Sequence, residues 1–178
     1  MNLLVLYQSR YGSTARYAKA LAEELGCDAV PLKEARPSLL AEYEGIIVGT
    51  AIYAGLLNGR KELARLAPAL AGKKLAVFTV GVTSPKEEEK LNEVHQRGLP
   101  QILLSSPAFH CKGNIDMHKL SFLHRTIIKG MVSQLQKLPD DKLTEENFHL
   151  LAAVERPIDY IDTQSIQPLI SLVKSWKQ

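Results

Sequence analysis

Short apolar runs alternate with amphipathic stretches along the first two thirds of the chain. Residues 3–7 (LLVLY), 45–50 (GIIVGT) and 74–81 (KLAVFTVG) are nearly unbroken apolar segments. That is the pattern of strands covered on both faces. A shorter strand is expected at 28–32, and a last one with its exit at 108–116 (AFHCKGNID). Residues 14–25 place Ala15, Ala18, Leu21, Ala22 and Leu25 at helical spacing, and Gly26 stops that helix. A short helix fits 37–43. Another fits 59–70, with Leu63, Leu66, Ala67 and Leu70 inward and Gly72 past its end. Ser84-Pro85-Lys86-Glu87 carries the capping-box pattern with proline at the first helical position, so a helix is predicted from Pro85 to about Arg97. Strands alternating with helices predict an α/β fold around a parallel sheet.

The alternation stops after residue 116. Residues 117–160 contain LSFLHRTIIKGMVSQL and a polar stretch, KLPDDKLTEENFH, before an amphipathic helix that opens near Asp162 or Thr163. A structureless loop of that length would be unusual in a domain. The expectation is therefore one domain over 1–178, with a helical insertion at about 113–160 ahead of the last helix.

The turn after the first strand carries the most chemistry. Residues 9–14, SRYGST, join a strand to a helix. A helix start offers unpaired N–H groups and partial positive charge, which suit an anion. Gly12 lets the backbone approach closely, and Ser9, Ser13 and Thr14 add hydroxyl donors. A nucleoside-triphosphate loop needs a lysine before its final Ser or Thr, and a dinucleotide fingerprint needs three glycines; neither is met. A phosphate held by hydroxyls and backbone remains, beside the plainer alternative of a helix cap at Ser13 or Thr14 with no ligand. In open parallel sheets, ligands bind beyond the carboxyl ends of the strands. Two further strand ends there, Thr50-Ala51-Ile52-Tyr53-Ala54-Gly55 and Gly81-Val82-Thr83-Ser84, are rich in small residues that let the chain lie flat against a planar group.

With SRYGST, GTAIYAG and VGVTS at these three strand ends, the sequence resembles the flavodoxin-like family. The resemblance runs from Asn2 to about Cys111 and again at the closing helix. It implies a three-layer sandwich around a five-stranded parallel sheet in order 2-1-3-4-5, with FMN at the switch point between strands one and three. Ser9, Arg10, Tyr11, Gly12, Ser13 and Thr14 would hold the phosphate. Thr50, Ala51, Ile52, Tyr53 and Ala54 would line one side of the isoalloxazine, and Gly81, Val82 and Thr83 the other. Two departures stand out. Tyr11 occupies a position where the family commonly has threonine, although main-chain donors can still serve there. The third loop lacks the aromatic that short electron carriers stack on the flavin, leaving Tyr53 for stacking or for packing, and one flavin face more open to a reacting partner.

The chain is also similar to the menaquinone-dependent protoporphyrinogen dehydrogenase group. Ser9, Gly12 and Thr14 give its compact first loop, and His118, Lys119, Phe122, His124, Arg125 and Lys129 give a thinner version of its aromatic-basic stretch. The lead ERPIDYIDTQSI into the last helix is similar too. That resemblance implies an FMN-dependent oxidoreductase that takes hydride equivalents from a reduced tetrapyrrole and passes electrons to a quinone. Leu120, Leu123, Ile127, Ile128, Met131 and Leu135 would then form a lid or a contact with a membrane surface, or simply pack onto the sheet. His118 is the histidine placed to reach the crevice; the others read as structural or surface residues.

Composition narrows the field. Hydrophobic residues make up 46% and charged residues 23%, as in ordinary soluble domains. No apolar run reaches the ~18 residues of a membrane span. The first residues lack the features of a signal peptide, so a cytoplasmic location is expected, with peripheral membrane contact allowed. The two cysteines, Cys27 and Cys111, form no CxxC, and no histidine spacing suggests a metal. The formal charge of +3 is mild and spread out, which does not suggest nucleic acid binding. Electron carriers of this family are usually strongly acidic, so the sign argues for a small-molecule substrate over a redox partner protein. A single-domain electron carrier is the competing reading, and a binding module without FMN the third.

Overall fold

The computed structural model describes residues 1–177. Strands β1 (Leu3–Tyr7), β2 (Asp28–Pro31), β3 (Gly45–Tyr53), β4 (Leu56–Leu57), β5 (Lys74–Gly81) and β6 (Ala108–Lys112) make one sheet. Its order is β2-β1-β3-β5-β6, all parallel, with β4 paired antiparallel to β3. The five parallel strands thus stand in the order that the family resemblance implied. Helices α1 (Ser13–Leu25), α2 (Pro37–Leu40), α3 (Arg60–Leu66), α4 (Glu88–Gly98) and α5 (Gln101–Leu104) connect them.

Side chains of a strand alternate between faces, so a strand apolar throughout feeds two cores. On one face Leu4, Leu6, Ile46, Val48 and Val77 pack with Leu63 and Leu66 of α3 and Leu91 and Val94 of α4. On the other, Val5, Ile47, Ala76 and Phe78 pack with Tyr17 and Leu21 of α1 and with Leu169 and Val173 of α8 (Gln167–Ser175). Gly49 is needed in the central strand because a β-carbon there would lie 2.1 Å from Cζ of Phe78.

Three boundaries differ from the sequence expectation. Strand β3 does not stop at residue 50. It runs on to Tyr53 and folds back as a hairpin that pairs Ile52 with Leu57 and Tyr53 with Leu56. Its tip, Ala54 at φ 49° and Gly55 at φ 74°, has the two positive φ values of a tight hairpin turn. Helix α4 begins at Glu88 rather than Pro85. Ser84 is buried and its carbonyl accepts from Glu87 N at 3.0 Å, which makes a turn, while the Glu87 carboxylate lies 3.6 Å from Lys90 instead of reaching back to cap. The last segment splits: β6 ends at Lys112, and β7 (Asn114–Ile115) pairs antiparallel with β8 (Ile158–Asp159).

Helical structure does fill the insertion, in α6 (Phe122–Leu135) and α7 (Glu145–Glu155). These helices build a third apolar cluster from Val132, Leu150 and Ala153 with Ile115 and Ile158 of the small hairpin, instead of lying on the sheet. Reciprocal bonds between Thr144 and Asn147 cap α7. A 3-10 turn at Thr163–Ile166, capped by Asp162, leads into α8. Among the described residues no helix is long and apolar enough to cross a membrane.

Candidate functional site

The hydroxyl-rich turn lies between β1 and α1. Gly12 is the residue before the helix, at φ 100°, a left-handed conformation open to glycine and strained for other residues. No side chain caps the first N–H groups of α1. Ser9 Oγ accepts from Gly12 N at 3.2 Å and closes the loop on itself. Ser13 is engaged elsewhere: its hydroxyl donates to Asn114 Oδ1 and accepts from Asn114 N at 3.1 Å. Thr14 is 1% exposed, and its Oγ1 is the one buried side-chain polar atom without a hydrogen-bond partner among the described residues. Buried hydroxyls are almost always paired, and an unpaired one calls for an explanation. An uncapped helix start beside an unpaired buried hydroxyl suits an anion such as a phosphate monoester.

The turn borders a cavity of about 360 Å³, within the range of small-molecule sites. Its sheet side is Tyr11 and Ser13 from the first loop, Ala51 to Gly55 from the hairpin, and Val80 to Thr83 from the end of β5. Its far side belongs to other elements: Leu91 and Val94 of α4, Ile127, Ile128 and Met131 of α6, and Leu150 of α7. The side of the cavity opposite the sheet is thus walled in part by α6.

Polar contacts fasten this cover to the first loop. Tyr11 Oη lies 2.7 Å from Nδ1 of His124 and accepts from Ser121 N at 3.3 Å. The Tyr11 and Tyr53 rings meet edge-on with centroids 5.3 Å apart, and the His124 ring lies 5.4 Å from Tyr53. Burial pushes the Tyr53 phenol up against the opposing pull of the Arg10 and Tyr11 backbone amides. Burial, with Arg10 nearby, pulls the His124 imidazole down, which favours its neutral form. On the far wall, buried Glu146 pairs with Lys90.

Of the residues expected at the site, Tyr11, Ser13, Ala51, Ile52, Tyr53, Ala54, Gly81, Val82 and Thr83 line the cavity together. Ser9, Gly12 and Thr14 form the adjoining helix start, and exposed Arg10 stacks over the Tyr11 ring at 5.6 Å. Thr50 is buried, with its hydroxyl given to the Asn58 carbonyl. His118 is exposed and outside the cavity wall; the histidine in the wall is His124. Asn114, Lys90 and Glu146 went unsuspected. Nothing in the local sequence marks them: Asn114 and Glu146 reach the site through the packing of the insertion, and Lys90 of α4 meets the site where Glu146 packs against it.

A parallel sheet in this order, with an anion-ready helix start at the end of its first strand, defines a flavodoxin-like α/β protein. Residues 4–142 match the family model described as the flavodoxin domain, and the chain belongs to that family. Solved structures include similar chains. Oxidised flavodoxin 2 from Bacillus cereus is 20% identical, with 87% of this chain and 99% of that one covered and a TM-score of 0.47. Two-electron reduced flavodoxin from Megasphaera elsdenii is 15% identical, with 85% and 98% covered and a TM-score of 0.47. No curated protein matches the chain at a significant level.

Proposed function

We propose that this protein binds FMN and acts as an FMN-dependent oxidoreductase on a small molecule. Membership of the flavodoxin domain family supports the flavin, and Thr14 Oγ1 is the observation that carries it. That hydroxyl, with the N–H groups at the start of α1, would hold the phosphate, and Gly12 would let it approach. The hairpin residues Ala51 to Ala54 and the loop Gly81 to Thr83 would flank the ring. When bound, FMN supplies an acceptor for two electrons or a hydride. The residues of this chain position the reactants and keep water out.

The enzyme reading is favoured over the carrier reading by the insertion. A carrier exchanges electrons through an exposed flavin edge, whereas here α6 encloses the cavity with Ile127, Ile128 and Met131. Within the enzyme class, we assign the reduced tetrapyrrole as donor and a quinone as acceptor, on the likeness of the insertion to the protoporphyrinogen dehydrogenase group.

Titration with FMN, followed by absorbance and fluorescence, tests the cofactor; a chain that binds no FMN at saturation refutes it. Anaerobic assays of the FMN-loaded protein with protoporphyrinogen and a soluble quinone test the substrate. Turnover of other small molecules but not the tetrapyrrole refutes the finer assignment alone. Electron exchange only with protein partners favours the carrier.

A further inference from the structure

Beneath the third loop lies a buried polar chain that the cofactor reading leaves unused. Thr79 in β5 is fully buried. Its Oγ1 lies 2.8 Å from Nδ1 of His110 in β6 and 3.3 Å from Nε2 of His95 in α4. The other ring nitrogen of His110, Nε2, lies 3.1 Å from the carbonyl oxygen of Thr83.

The hydrogens of this chain follow from chemistry. A carbonyl oxygen only accepts, so Nε2 of His110 carries the proton. Nδ1 of the neutral ring then accepts, and the single hydroxyl hydrogen of Thr79 goes to it at 2.8 Å in preference to the Phe109 carbonyl at 3.5 Å. The Thr79 oxygen in turn accepts from Nε2–H of His95. Burial, with the His95 imidazole nearby, holds His110 down at about 4, in keeping with a neutral ring. Three elements thus converge, through fixed tautomers, on the backbone of a loop that lines the cavity. The His110 ring lies against the backbone of Gly81, where a β-carbon would stand 3.4 Å from its Cε1, an ordinary contact distance.

We propose that His110 is a positioning residue for FMN, holding the third loop in its flavin-binding shape by donating Nε2–H to the Thr83 carbonyl. The proposal rests on the FMN reading above. Without that bond the carbonyl is left unpaired in a buried position and the loop must turn to satisfy it. His110 touches no reacting atom; it acts through Val82 and Thr83.

Three variants and one spectrum test this. His110→Phe fills the space without a donor. His110→Gln places an amide N–H where Nε2 stood, and His110→Asn is polar but too short to reach. Expected losses of FMN affinity are about tenfold or more for Phe and Asn. Gln is expected to bind within about threefold of wild type, a rescue that bulk or polarity alone would not give. Should the Phe variant fail to fold, the contrast of Asn with Gln decides. Nitrogen-15 NMR of the FMN-free wild type should show His110 protonated on Nε2 alone. Equal FMN affinity across the variants, or a proton on Nδ1, overturns the proposal. Wild-type protein that binds no FMN overturns the cofactor reading, while the imidazole spectrum, taken without FMN, still decides whether His110 holds Thr83.

Discussion

Thr14→Val should push stability and cofactor affinity in opposite directions. Valine nearly matches threonine in volume, so the 1%-exposed site accepts it without a cavity. In the FMN-free protein the Thr14 hydroxyl is desolvated and unpaired. Removing such a group relieves a penalty of about 1–2 kcal/mol. For a chain of 178 residues that is about 2–6 °C in melting temperature. In the FMN complex the same substitution deletes a hydrogen bond to a charged phosphate, worth about 1.5–3 kcal/mol. Relief of the penalty also stabilises the free form against binding. FMN should therefore bind from about 70-fold to several thousand-fold more weakly. The assays are thermal and urea unfolding without FMN, then fluorescence titration with it. A variant less stable than wild type would show that the hydroxyl already has a partner in the free protein. Unchanged FMN affinity would remove Thr14 from the phosphate site, whatever the stability result.

Other perturbations reach different parts of the structure. Gly12→Asp should abolish FMN retention, measured as flavin absorbance after gel filtration, because it strains a φ of 100° and sets a carboxylate against the phosphate. The Lys90–Glu146 pair should respond asymmetrically in urea unfolding. Lys90→Met leaves a buried carboxylate unpaired and should cost about 3 kcal/mol. Glu146→Gln leaves a half-exposed lysine with Glu87 still 3.6 Å away and should cost less than half as much. Unfolding against pH should show a contribution from His110. Its ring takes a proton near 6.5 in the unfolded chain and near 4 in the fold, so stability is constant above about 6.5 and falls as pH drops toward 4. His95, the titratable neighbour in the same network, is pulled down by burial and adds in the same direction. The fall should total about 3 kcal/mol for His110 and shrink in His110→Gln; an identical slope in both proteins would place the charge change elsewhere.

The sheet was legible in the sequence because strands covered on both faces need unbroken apolar runs, and β1, β3 and β5 have them. Their ends then located three loops that do meet at one cavity. The hairpin of β3 was hidden because Tyr53-Ala54-Gly55-Leu56 lacks the usual Asn-Gly signal for a two-residue turn; Ala54 takes a positive φ without it. The start of α4 was misplaced because Ser84 has the residue type of a cap but is buried in a turn, its hydroxyl accepting from Lys86 N at 3.4 Å and its carbonyl from Glu87 N at 3.0 Å. Most of all, the far side of the cavity was illegible. Periodicity shows that α6 is amphipathic but not what it covers. His118 was favoured for its nearness to the exit of β6, yet the turn before α6 leaves it in solvent and brings His124 to Tyr11.

The separate apolar cluster of the insertion has a kinetic consequence. Val132, Leu150, Ala153, Ile115 and Ile158 bury one another rather than joining either core of the sheet. Regions with their own small cores open locally at lower free energy than the whole molecule unfolds. Amide hydrogens of α6 and α7 should then exchange as a group, faster than those of β1, β3 and β5. Each such opening uncovers the cavity, so exchange of that group sets a lower bound on how often a bulky molecule can enter or leave. Access to the cavity would then follow the breathing of one helical pair over a sheet that stays closed.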